Sequence, residues 1–192
     1  MTHLAVFASG AGSNARKIIE YFQHNSEIRV ALIVCNKPGA GVIAVAESAS
    51  IPVLMLEKER FFRGDSYLPE LKARNIDFIA LAGFLWKVPP ALIGEFQNRI
   101  VNIHPALLPR YGGKGMYGER VHTAVLEAGE KETGISIHYV DEVFDNGEII
   151  FQARCAIGPD DNAETLANKI HQLEHAHYPP VIEKLIKMQN HR

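Results

Sequence analysis

The chain has 192 residues, of which 47% are hydrophobic and 22% are charged, and its formal net charge is −2. This length is sufficient for one domain with a buried core, and the composition is that of a folded protein rather than a disordered one. A charge so close to neutral provides no general attraction for nucleic acid or for an anionic membrane surface. We therefore expect a single domain over residues 1–192, with neither nucleic acid nor a membrane as its partner.

The cysteine content and the N-terminus indicate the cellular compartment. Only two cysteines occur, Cys35 and Cys155, whereas small secreted domains are rich in cysteine. The N-terminal segment MTHLAVFASG lacks the basic region and the long apolar stretch of a signal peptide. No apolar run approaches the roughly 18 residues that a membrane helix needs. We expect a soluble protein of a reducing cytoplasm.

Short apolar runs alternate with amphipathic stretches through the first half of the chain, a pattern typical of βαβ units. The predicted strands cover residues 4–8, 30–35, 52–56, 78–82 and 100–103. The predicted helices cover residues 13–23, 42–48 and about 65–74, and a further short helix begins at Pro89-Pro90. This half therefore predicts a parallel sheet with helices packed on it.

The second half begins with a polar, glycine-rich loop over residues 108–118, followed by a helix over 121–127. Residues 135–140 and 148–153 alternate like an antiparallel hairpin. Asp161-Asn-Ala-Glu164 has the form of a capping box and predicts a last helix up to about residue 187. Pro179-Pro180 predicts a kink or a break in it. The fold class is thus α/β: an open, mostly parallel, Rossmann-like sheet flanked by helices, with an antiparallel pair of strands near the C-terminal end.

A glycine-rich loop, Ser9-Gly-Ala-Gly-Ser-Asn14, joins the first strand to its helix. Glycines allow a close approach of the backbone to an anion, and a helix N-terminus presents free N–H groups. The spacing from Gly10 to Ala15 also fits a loose dinucleotide fingerprint, but an NAD site needs an acidic residue after the second strand, where Asn36-Lys37 stands. The loop is interpreted as a phosphate site or, alternatively, as an ordinary tight turn.

Two polar residues at the end of the fifth strand are candidates for catalysis. Asn102 and His104 are two positions apart and share one face of an extended chain. A histidine can act as a general base or a charged donor, and an asparagine can donate to a developing oxyanion. Asp145, before Asn146-Gly147, is explained by turn chemistry alone unless the fold brings it close to His104.

The remaining polar clusters give weaker indications. His171 and His175 lie one turn apart on the last predicted helix, a spacing that metal sites use. Neither Cys35 nor Cys155 stands in a nucleophile motif. We expect no metal site.

Together these segments resemble the phosphoribosylglycinamide formyltransferases, folate-dependent enzymes of purine synthesis, over nearly the whole chain. The pieces that carry the resemblance are Ser9-Gly-Ala-Gly-Ser-Asn14, Leu81-Ala-Gly-Phe84, Asn102-Ile-His-Pro105, Leu107-Leu-Pro109, Gly134-Ile-Ser-Ile-His138, Asp145-Asn-Gly147 and Glu174-His175. The Asn-x-His-Pro segment with a downstream Asp-x-Gly is specific to the folate-dependent formyltransferase group.

The resemblance implies three sets of site residues. The implied catalytic residues are Asn102, His104 and Asp145. The implied residues for the phosphate and sugar of glycinamide ribonucleotide are Gly12, Ser13, Asn14 and Glu174. The implied folate-binding residues are Arg63, Leu85, Trp86, Lys87, Val88 and Asn102. The segment 111–119 is longer than the Pro-Gly turn that is usual in the family, so no contact is carried over to it.

The resemblance also implies a reaction. The amine of glycinamide ribonucleotide attacks the formyl group of 10-formyltetrahydrofolate, the co-substrate, without a covalent enzyme intermediate. Asn102 and protonated His104 stabilise the oxyanion, and Asp145 raises the pKa of His104. The protein is expected to be a monomer or a homodimer.

Four other functions remain open. A formyltetrahydrofolate hydrolase uses the same three catalytic residues, but its relatives carry an additional N-terminal domain. A methionyl-tRNA formyltransferase needs an additional C-terminal domain and a basic surface. A non-catalytic nucleotide-binding protein would use the glycine loop alone. An NAD-dependent oxidoreductase fits least well, because of Asn36-Lys37.

Overall fold

The computed structural model describes residues 1–190, which form a seven-stranded sheet with helices on both faces. The strands are β1 (Thr2–Ala8), β2 (Ile28–Cys35), β3 (Val53–Met55), β4 (Ile76–Leu81), β5 (Ile100–His104), β6 (Glu132–Tyr139) and β7 (Ile149–Ala156). The helices are α1 (Ser13–Phe22), α2 (Gly41–Ser48), α3 (Lys58–Arg63), α4 (Leu68–Ala73), α5 (Pro90–Glu95), α6 (Glu119–Glu127) and α7 (Ala163–Asn190).

The strand order is β3-β2-β1-β4-β5-β6-β7. Strands β1 to β5 pair in parallel, whereas β6 runs antiparallel to both β5 and β7. This is the predicted fold class, and the prediction is confirmed. The order reverses between β1 and β4, and open sheets of this kind bind ligands at such a switch point, beyond the carboxyl ends of the strands.

Alternating side chains of the central strands supply two separate cores. Leu4 and Val6 of β1 pack on the face that α1, α2 and α7 cover, whereas Ala5 and Phe7 pack on the face that α3, α4 and α5 cover. All four residues are at most 1% exposed. Burial on both faces explains why the parallel strands are continuous apolar runs in the sequence.

The predicted helix over residues 65–74 is instead two short helices, α3 and α4. Ser66 and Tyr67 between them have left-handed backbone conformations, with φ of 52° and 60°, which a continuous helix does not allow. Asp65 lies outside both helices, where its carboxylate accepts hydrogen bonds from the Arg60 guanidinium and the Tyr67 N–H. The prediction therefore missed α3, and it placed the start of α4 three residues too early.

The sequence predicts a kink or a break of the last helix at Pro179-Pro180, and the predicted break is wrong. Pro179 and Pro180 do not break it, since α7 is continuous over 28 residues. The neighbouring Tyr178 is fully buried, and its hydroxyl lies 2.9 Å from the carbonyl of Leu81 and 3.1 Å from that of Val101, which fixes the helix to the sheet at this point.

The cap of α7 is one residue later than predicted. Asn162 Oδ1 accepts the N–H groups of Glu164 and Thr165, and Thr165 Oγ1 accepts the N–H of Asn162. This is the reciprocal arrangement of a capping box, formed by Asn162 and Thr165 rather than by Asp161 and Glu164. Within residues 1–190, none of the helices has the length and apolarity needed to cross a membrane.

Candidate active site

A cleft of about 710 Å³ lies at the carboxyl ends of β1, β4 and β5. Its walls come from the glycine loop, the segment after β4, the end of β5, residues 113–118, the β6–β7 connection and α7. The predicted site residues that line it are Gly12, Ser13, Asn14, Leu85, Trp86, Lys87, Val88, Asn102, His104, Asp145 and Glu174. The structure therefore brings together every predicted site residue except Arg63.

The fold places Asp145 beside Asn102 and His104. Asn102 Nδ2 donates a hydrogen bond of 3.3 Å to Asp145 Oδ1, and His104 Nδ1 lies 3.5 Å from Asp145 Oδ2. Asp145 lies in the nine-residue connection between β6 and β7, with a left-handed φ of 55°. It is therefore more than a turn residue: the connection folds back over the end of β5 and directs the carboxylate at the histidine.

His138 belongs to the same cluster and was given no role by the sequence. It lies opposite Asn102 in the antiparallel pairing of β5 and β6 and is 2% exposed. Its Nδ1 donates to the carbonyl of Tyr139 at 2.8 Å, and its Nε2 lies 3.1 Å from Asn102 Nδ2 and 3.6 Å from Asp145 Oδ1. Asp145 Oδ1 and His138 Nε2 thus both lie beside Asn102 Nδ2, and the Asn102 amide is held between β6 and the β6–β7 connection.

His104 is held through Nε2 of its ring. Nε2 lies 2.7 Å from the carbonyl oxygen of Tyr111 and, since a carbonyl only accepts, carries a proton. Burial lowers the pKa of His104 below its ordinary value, while Asp145 and the Tyr111 carbonyl partly oppose that shift. The predicted influence of Asp145 thus has the expected direction, but desolvation outweighs it, and the resting histidine is mainly neutral near pH 7.

Asp145 remains ionised in spite of its burial. Burial alone would raise the pKa of this carboxyl, but His138, His104 and the N–H of Gly113 favour the charged form and hold its pKa below the ordinary value. Gly113 N–H donates to Asp145 Oδ2 at 2.9 Å. The centre of the cleft therefore holds one carboxylate, one amide and two imidazoles, of which that of His104 is mainly neutral.

The glycine loop turns sharply into α1 at Gly12, which has a φ of 82°. A Cβ added there would lie 2.8 Å from the Cα of Val42, so both the backbone conformation and the close packing require glycine. The N-terminus of α1 opens into the cleft through Ser13 and Asn14. This arrangement of free N–H groups suits an anion.

Ser9 joins the glycine loop to the segment after β4. Its N–H donates to the carbonyl of Gly83 at 3.1 Å, and its buried Oγ accepts the N–H of Leu85 at 2.9 Å. The loop at one end of the cleft and the wall at the other are thus bonded to the same residue.

Glu174 of α7 is 5% exposed and accepts a hydrogen bond of 2.8 Å from Asn14 Nδ2. Burial raises the pKa of Glu174 to about 7, although the bond from Asn14 opposes the shift. Within residues 1–190, the buried Oδ1 of Asn14 has no hydrogen-bond partner. A carboxyl and an amide with unused hydrogen-bonding capacity lie at this end of the cleft, and they suit the hydroxyls of a sugar.

The opposite end of the cleft is apolar, with aromatic rings behind it. Trp86 lies 5.7 Å and 5.4 Å from the ring centres of Phe61 and Phe62, and Leu85 is exposed. Lys87 adds an exposed cation. Arg63 points elsewhere, since its side chain is 80% exposed and is paired with Glu59 on α3; its contact with a folate stays a prediction.

Further cleft residues had not been singled out as site residues from the sequence. They include Lys114, Met116, Tyr117, Arg120, His122, Val140, Asp141, Val143 and Phe144. His122 is 3% exposed, and burial, together with His171 and His104, lowers its pKa to about 4. Among the described residues, no group of three or more His, Cys, Asp or Glu side chains is arranged to hold a metal ion.

A sequence model of the formyl transferase family matches residues 2–182. The chain belongs to the formyl transferase family. Two curated members are a chloroplastic phosphoribosylglycinamide formyltransferase of Arabidopsis thaliana, 43% identical over 93% of this chain, and a phosphoribosylglycinamide formyltransferase of Bacillus subtilis, 37% identical over 99%. The chain spans 63% of the length of the plant formyl transferase and 97% of that of the bacterial one.

Solved formyl transferase structures are similar along the whole fold. The glycinamide ribonucleotide transformylase 1 of Geobacillus kaustophilus has a TM-score of 0.87 and 40% identity, covering 96% of this chain and 98% of its own. The phosphoribosylglycinamide formyltransferase of Bacillus halodurans has a TM-score of 0.86 and 38% identity, covering 96% of this chain and 95% of its own.

Proposed function

We propose that this chain transfers the formyl group of 10-formyltetrahydrofolate to the primary amine of glycinamide ribonucleotide, a step of purine biosynthesis. The observation that carries the proposal is the meeting of Asn102, His104 and Asp145 in one cleft, between a glycine loop and an apolar wall. The names of the bacterial and plant relatives support the same reaction. Residues 1–192 act as a single domain that needs no metal.

The ribonucleotide occupies the end of the cleft at the glycine loop. Its phosphate binds the N–H groups of Gly12, Ser13 and Asn14 at the N-terminus of α1. The sugar hydroxyls bind Glu174, with Asn14 held against it. Anchoring the phosphate away from the reacting atoms positions the amine, which lowers the entropic part of the barrier.

The formyl donor occupies the apolar end, against Leu85, Trp86 and Val88. Trp86 supplies a flat surface for an aromatic ring, and Lys87 supplies a cation for a carboxylate. Asn102 lies between the two ends, so the formyl group is placed beside the catalytic cluster.

The chemistry begins when the amine nitrogen attacks the formyl carbon, forming a C–N bond and moving the carbonyl electron pair onto oxygen. Asn102 Nδ2 donates to this oxyanion in exchange for one of its resting partners, His138 or Asp145. Loss of one such donor costs about 10² to 10³ in kcat. No side chain acts as a nucleophile.

His104 and Asp145 move the proton. The free lone pair of neutral His104 is on Nδ1, because Nε2 carries the proton that the Tyr111 carbonyl accepts. Nδ1 receives a proton from the attacking amine, directly or through water, and the resulting imidazolium lies between the Tyr111 carbonyl and the Asp145 carboxylate. The proton then passes to the leaving nitrogen as its bond to the formyl carbon breaks.

The decisive experiment follows the absorbance of the deformylated folate product with purified protein, with and without glycinamide ribonucleotide. Product formation that requires the ribonucleotide supports the transferase. Equal product formation without it would replace the transferase by the hydrolase, with water as acceptor. Binding of the ribonucleotide without turnover would leave a non-catalytic nucleotide-binding protein. We further propose a cytoplasmic location. We also propose a monomeric or homodimeric state, which sedimentation of the purified protein tests.

A further inference from the structure

The segment Tyr111–Gly113 contacts both members of the His104–Asp145 pair through its backbone. The carbonyl of Tyr111 accepts from His104 Nε2 at 2.7 Å, and the N–H of Gly113 donates to Asp145 Oδ2 at 2.9 Å. One acceptor and one donor, two residues apart, thus hold the histidine and the carboxylate at the same time. Gly112 between them is closely packed, since a Cβ there would lie 2.5 Å from Cδ2 of Leu108 and 3.2 Å from the Cβ of Asp145.

The backbone of this segment is strained at Tyr111. Its φ of 57° is left-handed, a conformation that is uncommon for a large side chain. Such strain persists only where surrounding contacts hold the residue in place. The position of the Tyr111 carbonyl therefore depends on what holds the Tyr111 side chain.

The Tyr111 side chain is held by Glu130, which lies in the connection between α6 and β6. Tyr111 Oη donates to Glu130 Oε1 at 2.8 Å, and the Arg110 guanidinium pairs with the same carboxylate while it lies 5.2 Å above the Tyr111 ring centre. The ring also packs against the apolar cluster that includes Ala106 and Val121. Glu130 thus fixes the tyrosine from outside the cleft.

We propose that Tyr111 and Glu130 are positioning residues for His104: Glu130 holds the Tyr111 hydroxyl, which keeps the Tyr111 carbonyl on Nε2 and directs the Nδ1 lone pair of His104 to Asp145 and the reacting atoms. The catalytic part of this inference rests on the proposed transferase reaction. The part that concerns the proton on the ring does not, because the bond to Tyr111 fixes the tautomer in the protein without substrate.

The variants Tyr111→Phe and Glu130→Ala remove the two ends of this contact, and Glu130→Gln keeps a neutral acceptor for the hydroxyl. Glu132→Ala is the matched control, because Glu132 lies two residues away and pairs instead with Arg154 on β7. Thermal melting of each variant shows that it is folded. Two readouts are compared: steady-state kinetics with both substrates, and the ¹⁵N spectrum of histidine-labelled protein without substrate, in which His104 is assigned from the spectrum of His104→Gln.

Tyr111→Phe and Glu130→Ala are expected to lower kcat about 10- to 100-fold, as small misplacements of a catalytic group do, with both KM values within twofold of wild type. Glu130→Gln restores most of the activity, and Glu132→Ala is unchanged. His104 carries its proton on Nε2 in the wild type and exchanges between both tautomers in the two disruptive variants.

An unchanged kcat and an unchanged His104 tautomer in both disruptive variants would overturn the inference. If the wild-type protein transfers no formyl group, the proposed function fails by itself, and the ¹⁵N spectra then decide the positioning role alone. A tautomer that shifts in both variants would support it, and one that stays on Nε2 in both would reject it.

Discussion

Asn14 and Glu174 are 160 positions apart in the chain, yet Asn14 Nδ2 donates a hydrogen bond of 2.8 Å to Oε2 of Glu174. This bond joins the glycine loop to α7 at the end of the cleft that we assign to the ribonucleotide. It also reaches a carboxyl whose pKa burial raises from 4.5 to about 7. The protonation of Glu174 is therefore coupled to folding near neutral pH.

The first prediction concerns stability against pH. Because the folded pKa lies above the unfolded one, this group stabilises the fold fully below about pH 4.5, and the contribution is lost as the pH rises through about 7. Between pH 5.5 and 8 the loss amounts to about 2 kcal/mol. Glu174→Gln removes the titration. The free energy of unfolding of this variant and of the wild type is measured by urea titration at both pH values. The difference, variant minus wild type, is expected to increase by about 2 kcal/mol from about pH 5.5 to about pH 8. An equal difference at both pH values would contradict the raised pKa.

The second prediction concerns the catalytic cluster. His104→Ala and Asp145→Asn are each expected to lower kcat by about 10² to 10³, because they remove the proton carrier and the charge beside it. The affinity for glycinamide ribonucleotide, measured by calorimetry, stays within twofold of wild type, since its phosphate and sugar bind elsewhere. Near-normal turnover in both variants would refute the assignment.

The third prediction compares two glycines, Gly10 and Gly12, of the glycine loop between β1 and α1. Gly12→Ala places a methyl group against the Cα of Val42 at a positive φ, and we expect the free energy of unfolding to fall by about 2–4 kcal/mol. Gly10→Ala is the matched control, because a Cβ at Gly10 meets nothing within 4 Å. Equal stability of the two variants in chemical denaturation would show that the tight packing at Gly12 is not needed.

The fourth prediction uses the single tryptophan of the chain, Trp86. A folate that stacks on it quenches its fluorescence, whereas glycinamide ribonucleotide alone leaves the emission unchanged. Trp86→Phe provides the control for emission from tyrosine. An emission that a saturating folate analogue does not alter would place the donor away from this wall.

The fifth prediction separates two cations. Lys87 lines the cleft, whereas the Arg63 side chain is 80% exposed and paired with Glu59. We expect Lys87→Ala to raise the KM for the formyl donor several-fold, because it removes a charge from the wall of the cleft. Arg63→Ala is expected to leave this KM within twofold, because it removes only an exposed ion pair. The opposite ranking would restore Arg63 to the folate site.

Much of the fold follows directly from patterns in the sequence. The parallel strands β1, β2, β4 and β5 are buried on both faces, so each is an apolar run that can be recognised without knowledge of its neighbours. Helix α3 was missed, and its six residues are too few to establish a helical period; α4 is equally short and was predicted only as part of a longer helix over residues 65–74. The continuity of α7 through Pro179 and Pro180 was not predicted, and the neighbouring Tyr178 fixes the helix to carbonyls of β4 and β5 that are distant in the sequence.

A site residue can be predicted from the sequence when its side chain belongs to a recognisable motif. Asn102, His104 and Asp145 have one, whereas the part played by His138 becomes visible only through its cross-strand register with Asn102. The bond from His104 to Tyr111 uses a backbone carbonyl, which every residue type possesses. No sequence pattern marks it, and only the path of the chain after β5 reveals it.

Ser9 gives the cleft a property that neither of its ends has alone. It accepts the N–H of Leu85 and donates to the carbonyl of Gly83, so the glycine loop and the apolar wall share a rigid connection through one buried residue. We therefore expect a ligand that shifts one of these segments to shift the other as well. Communication of this kind is thermodynamically reciprocal: whatever factor the first substrate contributes to the affinity of the second, the second must return to the first.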